Sequence, residues 1–136
     1  MTNSQTKIPD FVSVVWPHLC SIQFGVLLAI FTFLGITATP GDYVQEFNDK
    51  LMHSSGYFVA AFSISFALPR KSYVFRALFL IIYSFLIEVG QHFNPPRTFD
   101  LMDLAANSVG TIAGLILIYG LICKLKWFDT LINRRF

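Results

Sequence analysis

Four long apolar segments dominate this chain of 136 residues and restrict what it can fold into. They run over about 19–38, 51–68, 77–93 and 104–123, and each is near the ~20 residues with which an α-helix crosses ~30 Å of hydrocarbon. Charged residues make up 13% of the chain, about half the fraction usual in a soluble domain. We therefore expect an all-α, polytopic membrane protein: one bundle of four transmembrane helices, with residues 1–136 as a single domain.

Prolines mark the ends of three of these segments. The first begins at Trp16-Pro17, where a proline suits the first turn of a helix. The second stops before Pro69, and Pro95-Pro96 closes the third. A cleavable signal peptide is the alternative for the first segment, but the apolar run is too long and the small-x-small cleavage pattern is poor. The sequence therefore predicts a membrane helix there.

Basic residues are unevenly distributed between the two sides of the predicted bundle. If both termini are cytoplasmic, only Lys50 and Arg97 lie on the outer side. The inner side then carries Lys7, Arg70, Lys71, Arg76, Lys124, Lys126, Arg134 and Arg135. Since short loops rich in lysine and arginine stay in the cytoplasm, we predict a multi-pass inner-membrane protein with both termini cytoplasmic.

The last 13 residues, 124–136, have an amphipathic pattern. In a helix, one side would carry Leu125, Phe128, Leu131 and Ile132. The basic residues would lie on the other side, which predicts an interfacial helix on the anionic cytoplasmic leaflet. The alternative is a flank of the membrane helix whose basic side chains reach back to the interface.

Polar residues recur at helical spacing near the outer ends of three predicted helices. The second helix contributes Asp49, Lys50, His53 and Tyr57, the third Glu88 and Gln91, and the fourth Asp100, Asp103, Asn107, Gly110 and Gly114. Spacings of three and four place each set on one helical face, with Lys50 one step round from Asp49, His53 and Tyr57. A charged side chain facing lipid near mid-helix costs on the order of 2.5–3.5 kcal/mol. We therefore expect the three faces to meet inside the bundle as one polar site on the extracytoplasmic side.

Some members of this set have a purely structural explanation. Asp100 and Asp103 stand where the fourth helix begins, and carboxylates there satisfy free backbone N–H groups. Gly110 and Gly114 form a small-xxx-small motif that packs one helix closely on another. An ionisable residue inside a membrane helix is a functional candidate with a partner by default. For Glu88 the candidate partners are Lys50, Arg97 and His53.

Two stretches, "DKLMHSSGY" and "EVGQHFNPPRTFDLMDLAANSVGTIAG", carry most of this pattern. Together they resemble the VanZ-like family of small bacterial membrane proteins over about 49–114. The matching positions are Asp49, Lys50, His53, Tyr57, Glu88, Gln91, Arg97, Asp100, Asp103, Asn107 and Gly110. Pro96 departs from the family pattern, in which glycine often precedes the arginine. The resemblance implies four or more membrane helices in a bacterial membrane, and some members are associated with resistance to the glycopeptide teicoplanin.

Three functions fit the polar site. The first is binding of an anionic lipid-linked or peptidoglycan-precursor-type molecule at the outer leaflet, held by Lys50, Arg97 and the N-terminus of the fourth helix. Glycopeptide tolerance would follow from altered handling of such a precursor. Membrane lipids are the other expected partners, and nucleic acid is disfavoured because the basic residues flank membrane helices.

The second function is a membrane-embedded hydrolase or transferase acting on lipid phosphates by metal or acid/base chemistry. Its catalytic candidates are Glu88, His53 and Asp103. No metal motif of diagnostic spacing is present, so no cofactor is predicted, although a divalent cation is compatible with these residues. The third function is a proton-coupled transporter or flippase, which with four helices would require a homo-oligomer. The sequence leaves open whether the chain is an enzyme.

Overall fold

The part of the chain that the structure describes forms four α-helices. The computed structural model describes residues 10–37, 46–94, 98–127 and 129. The helices are α1 (Asp10–Thr37), α2 (Glu46–Ala67), α3 (Tyr73–His92) and α4 (Leu101–Lys124). No strand occurs among the described residues, so the all-α prediction is confirmed for that part of the chain.

Three helices in the described part of the chain are long and apolar enough to cross a membrane. They are Val14–Ile36, Tyr73–His92 and Leu101–Lys124, which contain most or all of the first, third and fourth predicted spans. The second predicted span coincides with α2, which has 22 residues but carries more polar side chains than the other three. Length and composition therefore support three of the four predicted spans.

The outward faces of these helices are apolar. Large exposed side chains include Ile22, Phe33, Val74, Ile82, Leu86, Val109 and Ile116. A soluble monomer rarely exposes contiguous apolar surface on this scale. Lipid hydrocarbon can surround such an apolar surface. The polar side chains of a membrane protein lie inside its bundle instead.

α1 starts earlier than the sequence indicates. It begins at Asp10, so Pro17 lies inside the helix, and the prediction that Trp16-Pro17 starts it is wrong. An internal proline removes one backbone hydrogen bond and costs about 3 kcal/mol. Trp16 packs edge-on against Phe66 of α2, with ring centroids 6.4 Å apart. This contact places the residue that precedes the proline against α2.

α2 is the central helix, because its contact with α4 is the most extensive in the bundle and it also packs against α1 and α3. Small residues allow the close approach of α2 and α4. A Cβ atom added to Gly110 would lie 2.9 Å from the Cα of Ser54, and one added to Gly114 would lie 2.8 Å from the carbonyl oxygen of Phe58. The core between the helices comprises Phe24, Tyr57, Ala60, Ala61, Ile64, Ala67, Leu80 and Leu115.

The turn between α2 and α3 is held by Arg76. Its side chain is only 3% exposed. Nε donates to the carbonyl oxygen of Leu68 at 3.2 Å, and Nη2 donates to that of Pro69 at 2.7 Å. Carbonyl groups at the end of a helix have no partner within the helix. Arg76 binds two of them here, of which the Leu68 carbonyl also accepts from the backbone N–H of Lys71. Arg76 therefore lies within α3, at the end of the bundle predicted to be cytoplasmic, and has a structural role there.

Side-chain caps explain why α3 and α4 begin four and three residues before the predicted spans. Ser72 caps α3 by accepting from the backbone N–H of Phe75 at 3.1 Å. Asp100 caps α4 in the same way. Hydropathy detects apolar residues and misses such polar first turns. The predicted interfacial helix over 124–136 lies mostly outside the described residues.

Candidate functional site

One end of the bundle brings together the polar faces of α2, α3 and α4. At its centre is Lys50, whose ammonium group donates to Oδ2 of Asp100 at 2.6 Å. The same nitrogen pairs with Oδ1 of Asp103 and lies 3.7 Å from Oδ2 of Asp49. Lys50 therefore joins the first turn of α2 to the first turn of α4.

Asp100 has two roles in this cluster. Its Oδ1 accepts from the backbone N–H of Met102 at 2.7 Å, which caps α4, while Oδ2 binds Lys50. The hydrogen bond from Lys50 is the main reason that the pKa of the Asp100 carboxyl lies below its usual range. The aspartate is therefore ionised at neutral pH, as a cap and an ion-pair partner should be.

His53 lies one turn deeper, between Asn107 and two carboxylates. Nδ1 is 3.2 Å from Oδ1 of Asn107. Nε2 is 3.8 Å from Oδ1 of Asp49 and 3.6 Å from Oδ2 of Asp103. Potential ligand atoms of Asp49, His53 and Asp103 all lie within 4.8 Å of one another. These are the residues of the described chain that could hold a metal ion.

Asn107 extends the cluster into the core. Its side chain is 3% exposed, and Nδ2 donates to Oγ of the fully buried Ser84 on α3 at 2.7 Å. The sequence did not single out Ser84. Its position four residues before Glu88 was the available signal, because the buried stripe of α3 runs through Arg76, Leu80, Ser84, Glu88 and Gln91.

Glu88 is the most deeply buried acid of the site, with 1% of its surface exposed. Its described hydrogen bond comes from the backbone N–H of Asp100, at 3.3 Å to Oε2. Lys50, expected as a partner of Glu88, binds Asp100 and Asp103 instead, since these aspartates stand directly opposite it on α4. Arg97, another expected partner, lies outside the described residues.

A groove of about 400 Å³ opens beside this cluster, between α1, α2 and α3. The polar residues that line it are Asp49, His53, Tyr57, Glu88, Gln91 and Asn107, and the larger apolar ones are Phe31, Leu34, Met52 and Ile87. The sequence did not identify this apolar wall, because in an apolar segment such residues look the same as lipid-facing ones. The lining of the groove is therefore mostly apolar and includes several polar side chains.

Gln91 and Tyr57 connect this groove to α1. Nε2 of Gln91 donates to the carbonyl oxygen of Gly35 at 3.0 Å. Tyr57 is buried, and its ring centroid lies 5.7 Å from that of Phe31. Both residues thus help to seat α1 against the rest of the bundle, besides lining the groove.

The structure brings nine of the predicted ligand-binding residues to this end of the bundle. They are Asp49, Lys50, His53, Tyr57, Glu88, Gln91, Asp100, Asp103 and Asn107. Gly110 and Gly114 lie deeper along α4, against the backbone and side chains of α2. That these residues bind a ligand stays a prediction.

Comparison with known protein families gave a match over most of the chain. The family model described as VanZ/LLP1 matches residues 18–124, which include the polar faces of α2, α3 and α4 and most of each helix. No curated protein matches the chain, and no solved structure does either. Because the match covers well over half of its residues, the chain belongs to the VanZ/LLP1 family.

Proposed function

We propose that this protein binds an anionic, lipid-linked molecule of the cell envelope, of the peptidoglycan-precursor type, in the groove between α1, α2 and α3. The amphipathic lining of the groove carries the proposal. Its volume of about 400 Å³ falls in the range of small-molecule sites, ~300–1,000 Å³. A polar headgroup would lie against His53 and Glu88, and the first part of a lipid chain against Phe31 and Met52.

The open edge of the groove fits a ligand that arrives from the bilayer. Leu34 of α1 and Met52 of α2 both line the groove and are 54% and 63% exposed. In a membrane these exposed surfaces would contact acyl chains. A lipid-linked ligand could therefore leave its chain in the bilayer while its headgroup occupies the protein.

The proposed site faces the extracytoplasmic side of the inner membrane. The excess of basic residues at the opposite end of the bundle supports this orientation. In this arrangement α2 is the fourth membrane helix, shielded by the three apolar helices with which it packs. Burial of Glu88, Asn107 and Gln91 supports a polar helix interface that avoids lipid contact.

The anionic headgroup would be recognised by Lys50 and Arg97. Lys50 already contacts Asp100 and Asp103. A phosphate must therefore compete with these carboxylates for Lys50, or a second cationic group must contribute to its binding. Arg97 follows α3 in the sequence and supplies a guanidinium group suited to bidentate phosphate binding.

A substitution that fills the groove tests the proposal. A Cβ atom on Gly56 meets only Phe31, at 3.5 Å, so Gly56→Leu should be tolerated while its side chain enters the groove. Gly25→Leu on α1 is the matched control, because nothing lies within 4 Å of the added Cβ. Both proteins, in nanodiscs, are titrated with a fluorescent short-chain polyprenyl phosphate.

We expect saturable binding to the wild type and to Gly25→Leu, with at least a tenfold loss of affinity in Gly56→Leu. Arg97→Ala should lower the preference for the polyprenyl phosphate over the matching alcohol. Equal binding to wild type and Gly56→Leu would contradict the proposal, as would the absence of saturable binding to the wild type. If the ligand is a peptidoglycan precursor, cells expressing the wild type should tolerate more teicoplanin than cells expressing Gly56→Leu.

A hydrolase or transferase acting on lipid phosphates is the second candidate, favoured by the position of His53 between Asp49 and Asp103 at the polar end of the groove. A histidine beside carboxylates can serve as a general base. Release of inorganic phosphate from the same probe measures this activity. Turnover that is lost in Glu88→Gln while binding persists would favour the enzyme over a binding protein.

A further inference from the structure

The histidine at the centre of the site has its two ring nitrogens in different surroundings. Nδ1 faces Oδ1 of Asn107 at 3.2 Å, while Nδ2 of the same amide donates to Ser84 at 2.7 Å. An amide oxygen only accepts hydrogen bonds, so Nδ1 of His53 carries the hydrogen. In the neutral ring, the lone pair of Nε2 then points away from Asn107.

That lone pair faces carboxylates. Oδ1 of Asp49 is 3.8 Å from Nε2 and Oδ2 of Asp103 is 3.6 Å from it. Three acceptors that face one another repel unless a proton or a metal ion lies between them. Lys50 does not occupy this space, because it contacts the other oxygen of each aspartate, Oδ2 of Asp49 and Oδ1 of Asp103.

The charges nearby also favour a cation. Asp49, Asp100, Asp103 and Glu88 place four carboxylates around the site, whereas Lys50 is the one lysine or arginine that the described residues bring to this cluster. Glu88, which is 1% exposed, lines the same groove, and a carboxylate buried there is stabilised by a nearby positive charge.

We propose that Asp49, His53 and Asp103 bind a divalent transition-metal cation, Zn²⁺ or Mn²⁺, with its remaining coordination positions open to the groove. Imidazole suits zinc and other transition metals, and carboxylates suit the harder manganese, so the mixed set favours these ions over Ca²⁺ or Mg²⁺. Ligand atoms ~2.1 Å from a tetrahedral metal lie about 3.4 Å apart. The separations between His53 and the two carboxylates are 3.6 and 3.8 Å, and all three ligand atoms lie within 4.8 Å of one another. Side-chain rotation must therefore draw them together to bind the ion.

Asn107 and Ser84 would then act as positioning residues. A histidine that binds a metal usually donates its other N–H to an oxygen acceptor, which fixes the orientation of the ring, and loss of such a partner weakens binding by about 10–100-fold. Asn107 is the acceptor for His53, and it is itself fixed by the buried Ser84. The hydrogen bonds into the core therefore serve the metal site.

The proposed cation site adds to the proposed function and rests on it in one step only, the binding of the headgroup phosphate. A phosphate approaching Lys50 meets an excess of carboxylates, and a divalent cation on the groove side would add to the positive charge proposed for Arg97. The headgroup phosphate would bind the open positions of the cation, as metal ions do in many phosphate sites. Binding of the metal alone does not depend on this step.

Metal binding is measured on the full-length protein, purified in detergent and stripped with a chelator. Titration with ZnCl₂ or MnCl₂ alone, by calorimetry and by elemental analysis after desalting, should give about one ion per wild-type chain. His53→Ala and Asp103→Asn should lower the affinity at least tenfold, and Asn107→Leu by about tenfold or more. His92→Ala is the matched control, since His92 is an exposed histidine at the same end of the bundle. This variant should bind the metal like the wild type.

Wild-type protein that binds no more metal than His53→Ala would overturn the cation site. So would equal loss in His92→Ala, because the ion would then bind surface histidines. Titration of the polyprenyl phosphate with and without chelator tests the bridging step separately. Lipid binding that survives the chelator would refute the bridge and leave both the groove and the metal site intact.

Discussion

Lys50 is the residue on which the charge balance of the polar cluster depends. Its ammonium group contacts Asp49, Asp100 and Asp103 at once. Exposed ion pairs contribute about 0–1 kcal/mol, whereas breaking a buried pair costs about 3–5 kcal/mol. For this half-buried lysine we expect Lys50→Met to lower the free energy of unfolding by about 1–3 kcal/mol, measured by thermal unfolding in detergent with a chelator present.

Lys124→Met is the control for this substitution, because Lys124 is an exposed lysine at the other end of the bundle. It should leave the unfolding temperature within error of the wild type. A Lys50→Met protein as stable as the Lys124→Met protein would show that the three aspartates do not need the lysine.

Asp100 makes a related prediction about pH. Its pKa is lowered in the folded protein, chiefly by the hydrogen bond from Lys50. A lowered pKa contributes stability that is fully present above the unfolded value, ~3.9, and that is lost as the pH falls through the folded value. Wild-type protein should therefore lose more stability than Asp100→Asn when the pH is lowered from 5 to 3. Parallel curves in denaturant titrations at these pH values would contradict this.

At the scale of the helices, the contact between α2 and α4 depends on Gly110. A Cβ atom there would lie 2.9 Å from the Cα and 2.8 Å from the carbonyl carbon of Ser54, and backbone atoms cannot rotate away as a side chain can. Overpacking of a core costs about 1–3 kcal/mol, and more where the backbone must move. We expect Gly110→Ala to destabilise the protein by at least ~2 kcal/mol.

Gly120 on the same helix is the matched control, because nothing lies within 4 Å of a Cβ atom added to it. Gly120→Ala should be neutral, or stabilising by up to ~1 kcal/mol, since alanine favours helix over glycine. Thermal unfolding and size-exclusion profiles compare the two variants. If both alanines have the same effect, the helices are not in the close contact described.

The end of α2 makes the second prediction at this scale. Arg76 donates two hydrogen bonds to the carbonyl groups of Leu68 and Pro69 while it is almost fully buried. Hydrogen bonds to a charged group are worth about 1.5–3 kcal/mol, and a carbonyl left unpaired adds a desolvation cost. That cost applies to Pro69, because the Leu68 carbonyl also accepts from the backbone N–H of Lys71. Arg76→Met should therefore destabilise the protein by about 2–4 kcal/mol in denaturant unfolding. Arg70→Met, an exposed neighbour in the same turn, should have little effect.

For the whole molecule, the sequence periodicity predicted which helix faces point inwards better than it predicted which side chains contact one another. Spacings of three and four placed Asp100, Asp103 and Asn107 on one inward face of α4, and the cost of a charge in lipid predicted that Glu88 turns inward. Both follow from local helix geometry and from the solvent, which a single sequence contains. The structure agrees with both, since Asn107 and Glu88 are buried.

Contacts between helices were less accessible to this reasoning. Lys50 has a long flexible side chain, so its choice of Asp100 and Asp103 over Glu88 depends on how α2 and α4 pack. The internal position of Pro17 depends on packing of the preceding turn against α2. The apolar wall of the groove, such as Ile87, depends on where α1 lies. None of these follows from composition or spacing.

The orientation of the molecule in the membrane is a prediction of its charge distribution alone. The polar cluster should face outwards and Arg70 should face the cytoplasm, because most of the basic residues lie at the end of the bundle that carries Arg70. Phe93, at the end of α3 beside the cluster, is 79% exposed, so Phe93→Cys offers a thiol there and Arg70→Cys offers one at the other end. In a background with Cys20 and Cys123 changed to serine, a membrane-impermeant maleimide added to intact cells (spheroplasts where an outer membrane is present) should label Phe93→Cys. It should reach Arg70→Cys only after the membrane is permeabilised. The reverse pattern would place the groove in the cytoplasm and exclude a ligand from the outer leaflet.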